Sequence, residues 1–285
     1  MGISREDLYI LDRNPEESAR LNKQHEFLVD LIGGHPIHPS IPTENITAVA
    51  DVATGTGIWL SSLPKSLPSP NDLYLHGFDI STTQFPFYKD ITPTYEIYLS
   101  AHDARDRFPE DHRGRYDLVH LRLLVGAFKE EDYMRTVQNV YELLKPGGYL
   151  QWDECDCSAF TTAESPPSAL ARQMQQVVVD AVHNLGLARE PPKLIEKFAG
   201  KIGFVDVSRR VYSTLDKPHL HATASAWVLR LMAMLLPNSF ISSGKEADRE
   251  VAMRRAQRLL KDIEEHCARV LPLVNLQVIV GRKPV

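Results

Sequence analysis

The sequence predicts a doubly wound α/β fold, a parallel sheet with helices on both faces. Three observations predict it. A short apolar run at residues 48–52 ends in a loop of small residues, and an apolar segment that can open a helix follows. An acid, Asp79, ends the next apolar run, 22 residues after Gly57 (79 − 57). The turn Leu-Lys-Pro-Gly-Gly at 144–148 stops an amphipathic segment directly before another apolar run.

Composition narrows the class of protein. The 285 residues are 43% hydrophobic, which allows one large domain or two small ones with a sizeable core. No apolar run approaches the ~18 residues of a membrane span, and the N-terminus has no signal pattern. A net charge of −5 argues against nucleic acid as the main partner. The three cysteines predict neither a disulfide framework nor a metal site, so we expect a cytoplasmic protein without metal.

The loop after the first strand contains Gly55 and Gly57, which tolerate positive φ and allow a ligand close to the backbone. A dinucleotide fingerprint needs a small residue at position 60, where this chain has Leu60. Asp51 would repel a pyrophosphate but suits a ligand with a positive amino group. The alternative is an ordinary glycine-rich turn in an unrelated α/β domain. Asp79 has the position of an acid that binds ribose hydroxyls, which favours the ligand-binding interpretation.

The remaining elements follow in order. An N-terminal helix begins at the signal Asn14-Pro15-Glu16-Glu17 and ends at 33–36. Pro64 and Pro68 shorten the helix after the glycine loop. Further strands are predicted at 73–78, 95–99, 116–122, 149–152, 203–207 and 276–280, and further helices at 133–144, 169–185, 194–198, 227–236 and 246–270.

Four side chains are candidates for removing a proton from a substrate or for orienting it. His120 and Arg122 lie at the carboxyl end of the fourth strand, where ligands gather in doubly wound sheets. His120 could remove a proton, and Arg122 could anchor a carboxylate or an enolate of the substrate. Asp153 follows the fifth strand, and His25 lies on the N-terminal helix. The alternative is that these side chains are structural.

The amino-acid sequences of several segments resemble those of a known family. Residues 51–57 are similar to the motif Asp-x-Gly-x-Gly-x-Gly of class I S-adenosylmethionine-dependent methyltransferases, with Ala53 where the first glycine is usual. That alanine costs little if its φ is negative. Segments 20–25, 55–59, 77–81, 116–123 and 145–154 resemble the methyltransferases of fungal secondary-metabolite clusters. These include N-, O- and S-methylating tailoring enzymes, and regulators that carry a methyltransferase domain.

The resemblance implies a seven-stranded Rossmann-like sheet in one domain. Its parts are an N-terminal helical cap (1–45), a cofactor-binding core (46–208), a helical insertion (209–272) and the last strand (273–285). It implies S-adenosylmethionine as cofactor, with Asp103 at the adenine amino group. The cofactor-binding residues it implies are Asp51, Ala53, Thr54, Gly55, Gly57, Asp79, Ile80, Asp103, Ala104 and His120.

The function predicted on this basis is methyl transfer to a small, hydrophobic acceptor through nitrogen, oxygen or sulfur. Two alternatives remain open: a cyclase or isomerase that binds the cofactor without methylating, and a regulatory protein. The insertion, with apolar residues such as Trp227, Met232, Met234 and Leu235, is either a lid over the site or the face of a homodimer.

Overall fold

The structure, a computed structural model, describes residues 15–68, 72–85, 96–157, 160–242 and 248–285. The chain divides into two compact units. The first contains Met1–Cys155, Pro191–Val211 and Gln277–Val285, and the second contains Asp156–Glu190 and Tyr212–Leu276. Residues 156–190, predicted as part of the core (46–208), fall in the second unit together with most of the predicted insertion (209–272).

The strands are β1 (Ala48–Val52), β2 (Tyr74–Asp79), β3 (Ile97–Ala101), β4 (Tyr116–Arg122), β5 (Leu144–Cys155), β6 (Thr161–Thr162), β7 (Val205–Ser213), β8 (Pro272–Leu273) and β9 (Asn275–Arg282). The α-helices are α1 (Pro15–Leu31), α2 (Ile58–Ser62), α3 (Glu130–Leu143), α4 (Ala169–Asn184), α5 (Pro191–Ile202), α6 (His221–Ser242) and α7 (Arg249–Cys267).

The first unit is built on a seven-stranded sheet with the order β3-β2-β1-β4-β5-β9-β7. Strands β1 to β5 pair in parallel. All five residues of β1 are buried, as expected for a central strand covered on both faces. The order reverses between β1 and β4, so ligands are expected at the carboxyl ends of these two strands. The predicted α/β fold and seven-stranded sheet are confirmed.

The turn before β5 is incorporated into the sheet. Leu144 pairs with Tyr116, and Tyr149 pairs with Leu118. Between these two pairs β5 advances five positions while β4 advances two, so β5 contains three extra residues within 145–148. Gly147 has a φ of +81°, which favours glycine. A Cβ on Gly148 would lie 3.0 Å from the carbonyl oxygen of Tyr116. The glycines are therefore needed because α3 passes into a central strand without a separate loop.

The bounds of other elements differ from the predictions, most of all in α6, which begins six residues earlier and ends six residues later than predicted. The fourth strand has the predicted bounds, whereas β3 begins two residues later than predicted, and Tyr95 lies outside the described residues. Asn14, the predicted first residue of the N-terminal helix signal, also lies outside them. The edge strand β7 extends to Ser213, six residues beyond the predicted end. Half-exposed edge strands lack the continuous apolar runs that make central strands recognisable.

The second unit consists mainly of α4, α6 and α7, with a small antiparallel pair formed by β6 and β8. Helix α6 buries Val228, Met232 and Leu236. The segment Pro218–Ile241 is long and apolar enough to cross a membrane: an 18-residue window within it has a mean hydropathy of 1.3, and 33% of that window is buried. Core helices of soluble proteins meet the same criterion, so this is weak evidence for a membrane.

Candidate active site

The loop of residues 53–57, called the glycine loop below, leaves β1 at the point where the strand order reverses. Gly55 and Gly57 have φ values of +56° and +72°. Thr54 N–H donates to the carbonyl oxygen of Phe78 at 2.9 Å, which ties the loop to β2. Ala53 has a φ of +60°, so the condition of negative φ is not met. An alanine in this region costs about 1–2 kcal/mol, because its Cβ crowds the following carbonyl.

Asp79, at the end of β2, is held against the glycine loop. Its Oδ2 accepts a hydrogen bond from Gly55 N–H at 2.8 Å, and its Oδ1 accepts one from Ser81 N–H at 3.0 Å. The intervening Ile80 is half-buried. A carboxylate fixed in this way, beside a loop whose backbone a ligand can approach, fits the recognition of ribose hydroxyls.

Asp103 and Ala104 follow β3 along the same edge of the sheet. Asp103 forms a bidentate ion pair with Arg105, with Nε–Oδ1 and Nη2–Oδ2 distances of 2.8 Å. Ala104 is buried, and its carbonyl oxygen accepts a hydrogen bond from Asn139 Nδ2 at 3.0 Å. The loop is thus fixed from α3. The Asp103–Ala104 segment is therefore held in a fixed position after the carboxyl end of β3.

His120 connects the ends of β1 and β5. Its Nδ1 lies 2.7 Å from Asp51 Oδ1, and its Nε2 lies 3.3 Å from Asp153 Oδ2. Trp59 stacks on the imidazole, with ring centroids 3.8 Å apart. Thr54 Oγ1 donates to Asp51 Oδ2 at 2.6 Å. His120, Asp51 and Asp153 are all buried, so the hydrogen bond between Asp51 and His120 lies within the protein.

The environment of His120 favours its protonated form. Burial alone would lower its pKa, but the hydrogen bonds to Asp153 and Asp51 outweigh burial and raise the pKa above its ordinary value. Each ring nitrogen of the imidazolium then donates to a carboxylate. A histidine held in this way positions the two acids and is poorly suited to accept a proton from a substrate.

His25 and Arg122 form a second contact at this edge. Arg122 Nη1 lies 3.2 Å from His25 Nδ1, so the guanidinium donates and the imidazole accepts. Burial, followed by the charge of Arg122, lowers the pKa of His25 to about 3. His25 is therefore neutral, with its proton on Nε2. Burial also lowers the pKa of Arg122, while Asp153 and Asp51 act in the opposite direction.

Glu154 holds the segment after β4. Its Oε2 accepts from Leu124 N–H at 2.9 Å, and its Oε1 accepts from Cys155 N–H at 3.0 Å. Burial raises the pKa of Glu154 to about 7, although these hydrogen bonds oppose the shift. Leu123, directly after Arg122, has a φ of +54° and donates its N–H to the carbonyl oxygen of Asp153 at 3.0 Å. Glu154 thus stabilises a strained turn beside Arg122.

Helix α1 runs along the carboxyl edge of the sheet. Ser18 bonds to Gln84 beyond β2, Asn22 Oδ1 accepts from Thr56 Oγ1 of the glycine loop at 2.8 Å, and His25 contacts Arg122 at the end of β4. These contacts place α1 over the ends of three neighbouring strands. The structure therefore brings His25, His120, Arg122 and Asp153 to one edge, together with Asp51.

Two residues of this edge were not identified from the sequence. Gln151 donates its Nε2–H to Asp153 Oδ1 at 3.1 Å and to the carbonyl oxygen of Pro36 at 3.1 Å. Trp59 covers His120, and its Nε1–H donates to the same carbonyl oxygen at 3.2 Å. A polar residue inside an apolar strand is a signal for Gln151, and strand alternation places it on the same face as Asp153, but its contact with Pro36 could not be deduced from spacing. Within the described residues, no group of three or more His, Cys, Asp or Glu is arranged to hold a metal ion.

The fold and the site define a nucleotide-binding α/β domain of the class I methyltransferase type. The family model described as a methyltransferase domain matches residues 49–148. The chain is 37% identical over 216 residues to methyltransferase grgD of a Penicillium species, covering 74% of each chain. It is 25% identical to N-methyltransferase gliN of Aspergillus fumigatus, covering 72% of this chain and 71% of that protein.

The protein belongs to the class I S-adenosylmethionine-dependent methyltransferases, and its cofactor is S-adenosylmethionine. It is an enzyme of methyl transfer, with relatives among fungal methyltransferases.

Solved structures agree on the fold. Phosphoethanolamine N-methyltransferase 2 of Haemonchus contortus, in complex with S-adenosyl-L-methionine, is 17% identical and superposes with a TM-score of 0.54. The match covers 100% of this chain and 61% of that one, so this chain spans less than two thirds of the length of that enzyme. A methyltransferase from Haloferax volcanii in complex with its activator Trm112 is 16% identical, with a TM-score of 0.53 and 95% coverage of both chains.

Proposed function

We propose that the protein transfers the methyl group of S-adenosylmethionine to nitrogen, oxygen or sulfur of a small, largely apolar metabolite. The observation that carries this proposal is the contact between Asp79 and the glycine loop, next to the polar ends of β4 and β5. One side of this edge is suited to the nucleoside of the cofactor. The other side contains the charged groups that would face an acceptor.

The residues proposed to hold the cofactor are Asp79 at the ribose, Asp103 and Ala104 at the adenine, and the backbone of the glycine loop. When bound, the cofactor supplies an activated methyl group, whose carbon–sulfur bond breaks with its electron pair remaining on sulfur. The protein must align the acceptor with that bond and keep water out. Helix α1, which contacts the glycine loop through Asn22, is placed to do the latter.

Nitrogen is the acceptor atom favoured by the names of several relatives. Besides gliN, the N-methyltransferases verN of Clonostachys rogersoniana and sirN of Leptosphaeria maculans are 29% and 30% identical over about half of this chain. The first relative above is named only as a methyltransferase, which leaves oxygen and sulfur open.

Calorimetric titration of S-adenosylmethionine and S-adenosylhomocysteine into the wild type and Asp79→Ala tests the cofactor side. Asp79 would form two charge-assisted hydrogen bonds, each contributing about 1.5–3 kcal/mol, so its removal should weaken binding roughly a hundredfold or more. Asp111→Ala removes a carboxylate that is 72% exposed and serves as the matched control. Failure of the wild type to bind either ligand would contradict the proposal.

Turnover separates methylation from the alternatives. A methyltransferase accumulates S-adenosylhomocysteine in step with a methylated product when fungal metabolite extracts are supplied. A cyclase or isomerase would convert a metabolite without forming S-adenosylhomocysteine. A regulatory protein would bind the cofactor and change no small molecule, and either result would contradict methyl transfer.

A further inference from the structure

The guanidinium of Arg122 is a cation with unused donors. It is only partly exposed, and among the described residues its one hydrogen-bond partner is His25, through Nη1. A guanidinium has five N–H donors in a planar fork, so four have no hydrogen-bond partner among the described residues. Arg122 is the last residue of β4, at the point where the strand order reverses, which is where ligands bind in this type of sheet.

The neighbouring acids do not use these donors. Asp51 and Asp153 are near enough to influence the pKa of Arg122. Their oxygen atoms, however, bind His120, Thr54 and Gln151. His120, as an imidazolium, offsets part of their negative charge. The free side of the guanidinium therefore has no anion of the protein as a direct partner in the described part of the chain.

The same contacts involve the four side chains that are candidates for accepting a proton from the acceptor or for orienting it. Both nitrogens of His120 donate to carboxylates, and Nδ1 of His25 accepts from Arg122, so its Nε2 carries a proton. Asp153 is buried and accepts from both His120 and Gln151. Arg122 is itself a cation. Among the described residues of this edge, donors rather than proton acceptors remain available to a substrate.

We propose that Arg122, held by His25, is an oxyanion receptor and that the acceptor binds as an anion. This inference rests on the proposed function and deepens it by naming a substrate class. The negative charge lies on an oxygen, or is conjugated with one, as in a phenolate, an enolate or an imidate. The acceptor releases its proton to water on binding, and the charged atom or its conjugated partner accepts the methyl group. His25 is a positioning residue for the guanidinium.

The ionisation of a bound phenol measures this directly. The probe is 4-nitrophenol, whose phenolate absorbs visible light, titrated with pH in the presence of protein saturated with S-adenosylhomocysteine. A cation at contact distance should lower the apparent pKa of the bound phenol by about 1–3 units in the wild type. Arg122→Gln should abolish the shift, and Arg122→Lys should retain part of it, because a lysine keeps the charge without the planar fork.

Matched variants complete the test. Arg107→Gln removes a positive charge whose side chain is 63% exposed, and it should leave the shift of the phenol unchanged. His25→Gln keeps an oxygen that accepts from Arg122 and should retain most of the shift, whereas His25→Leu should lose much of it. A wild-type protein that causes no shift, or a shift that survives in Arg122→Gln, overturns the proposal.

The anion bound by Arg122 could instead be the amino-acid carboxylate of the cofactor, and binding of S-adenosylhomocysteine distinguishes this case. Arg122→Gln should bind S-adenosylhomocysteine within about twofold of the wild type, which also shows that the variant is folded. If binding weakens tenfold or more while binding of 5′-methylthioadenosine is unchanged, Arg122 holds the amino-acid carboxylate of the cofactor, and the assignment to the acceptor is wrong. If the wild type binds no S-adenosylhomocysteine, the proposed function itself fails.

Discussion

Two regions of the same sheet edge are built in different ways. Around the glycine loop and β2, a polar side chain binds main-chain amides: Asp79 accepts from Gly55 N–H and Ser81 N–H. At the ends of β4 and β5, side chains bind side chains, with His120 between Asp51 and Asp153 and with Arg122 against His25. The first region depends on backbone shape, whereas the second depends on a balance of buried charges. We therefore expect mutations in the second region to cost more.

The largest expected effect is that of His120→Ala. The substitution leaves Asp51 and Asp153 buried without their cation, and breaking a buried charge pair from one side costs about 3–5 kcal/mol. The measurement is the free energy of unfolding in urea. Adding Asp153→Asn to the variant should recover part of the loss, because it removes one of the stranded charges. A loss below about 1 kcal/mol would mean that His120 is not charged in the folded protein.

The same residue gives the second region an alkaline limit. The folded-state pKa of His120 is raised above 6.5. Its contribution to stability is thus fully present below pH 6.5 and is lost as the pH rises through the folded-state pKa. As the pH rises through this pKa, the free energy of unfolding of the wild type should fall more than that of His120→Ala. The difference between the two proteins, measured by urea unfolding at several pH values, should therefore shrink.

The second prediction concerns His76 of β2. It predicts that the first region loses stability at acid pH, whereas the second loses it at alkaline pH. His76 lies between Tyr74 OH and Ser100 Oγ, each at 2.9 Å, and burial, followed by the charges of His112 and Arg115, lowers its pKa to about 4. Its contribution is therefore present above pH 6.5 and is lost as the pH falls from 6.5 to about 4. The expected loss in this window is about 2–3 kcal/mol, at roughly 1.4 kcal/mol for each pKa unit.

Urea unfolding at several pH values checks this prediction. His76→Gln cannot titrate, so its stability should fall less than that of the wild type between pH 6.5 and pH 4. His35→Gln replaces an exposed histidine of the same unit and should follow the wild-type profile. Parallel profiles of wild type and His76→Gln would assign the acid sensitivity elsewhere, for example to His25.

The two regions also differ in how far the sequence predicts them. The seven-stranded sheet, Asp79 and the glycine loop follow from local patterns, since a positive φ or a strand end can be inferred from a few neighbouring residues. The contacts of the second region join residues far apart in sequence: 69 positions between Asp51 and His120, and 97 between His25 and Arg122. The position of Asp51, His120 and Arg122 at one edge was predictable from strand ends, but the position of His25 and the pairing of all four depend on the packing of whole helices and strands.

Gln151 illustrates the same limit. It bonds to the N–H of His38, 113 positions away, and to the carbonyl oxygen of Pro36. Nothing in the alternation of β5 indicates that residues 36–38 would pass beside it. Ala53 illustrates another limit, because its residue type left the sign of φ open and the tertiary structure imposes a positive one.

The third prediction tests whether α1 stabilises the glycine loop. Asn22→Ala removes the acceptor of Thr56 Oγ1–H and should cost about 1 kcal/mol, the net contribution of one neutral hydrogen bond. Hydrogen exchange of α1 amides should quicken as the helix detaches more often. Lys23→Ala, at an exposed position of the same helix, should change neither quantity. Unchanged exchange in Asn22→Ala would show that apolar packing alone holds α1.

The smallest expected effect is a gain. Ala53→Gly should relieve the strain of an alanine at a φ of +60°, worth about 1–2 kcal/mol, against an entropy cost in the unfolded chain of roughly 0.5–1 kcal/mol. The net gain is then near 0.5–1 kcal/mol. Ala50→Gly, three positions earlier in β1, changes the same atoms where φ is not positive and should destabilise. Because the two substitutions are chemically identical, opposite signs in urea unfolding would isolate the backbone conformation as the cause. A loss in both would mean that the glycine loop relaxes around Ala53, and that the backbone of the first region is less rigid than its hydrogen bonds imply.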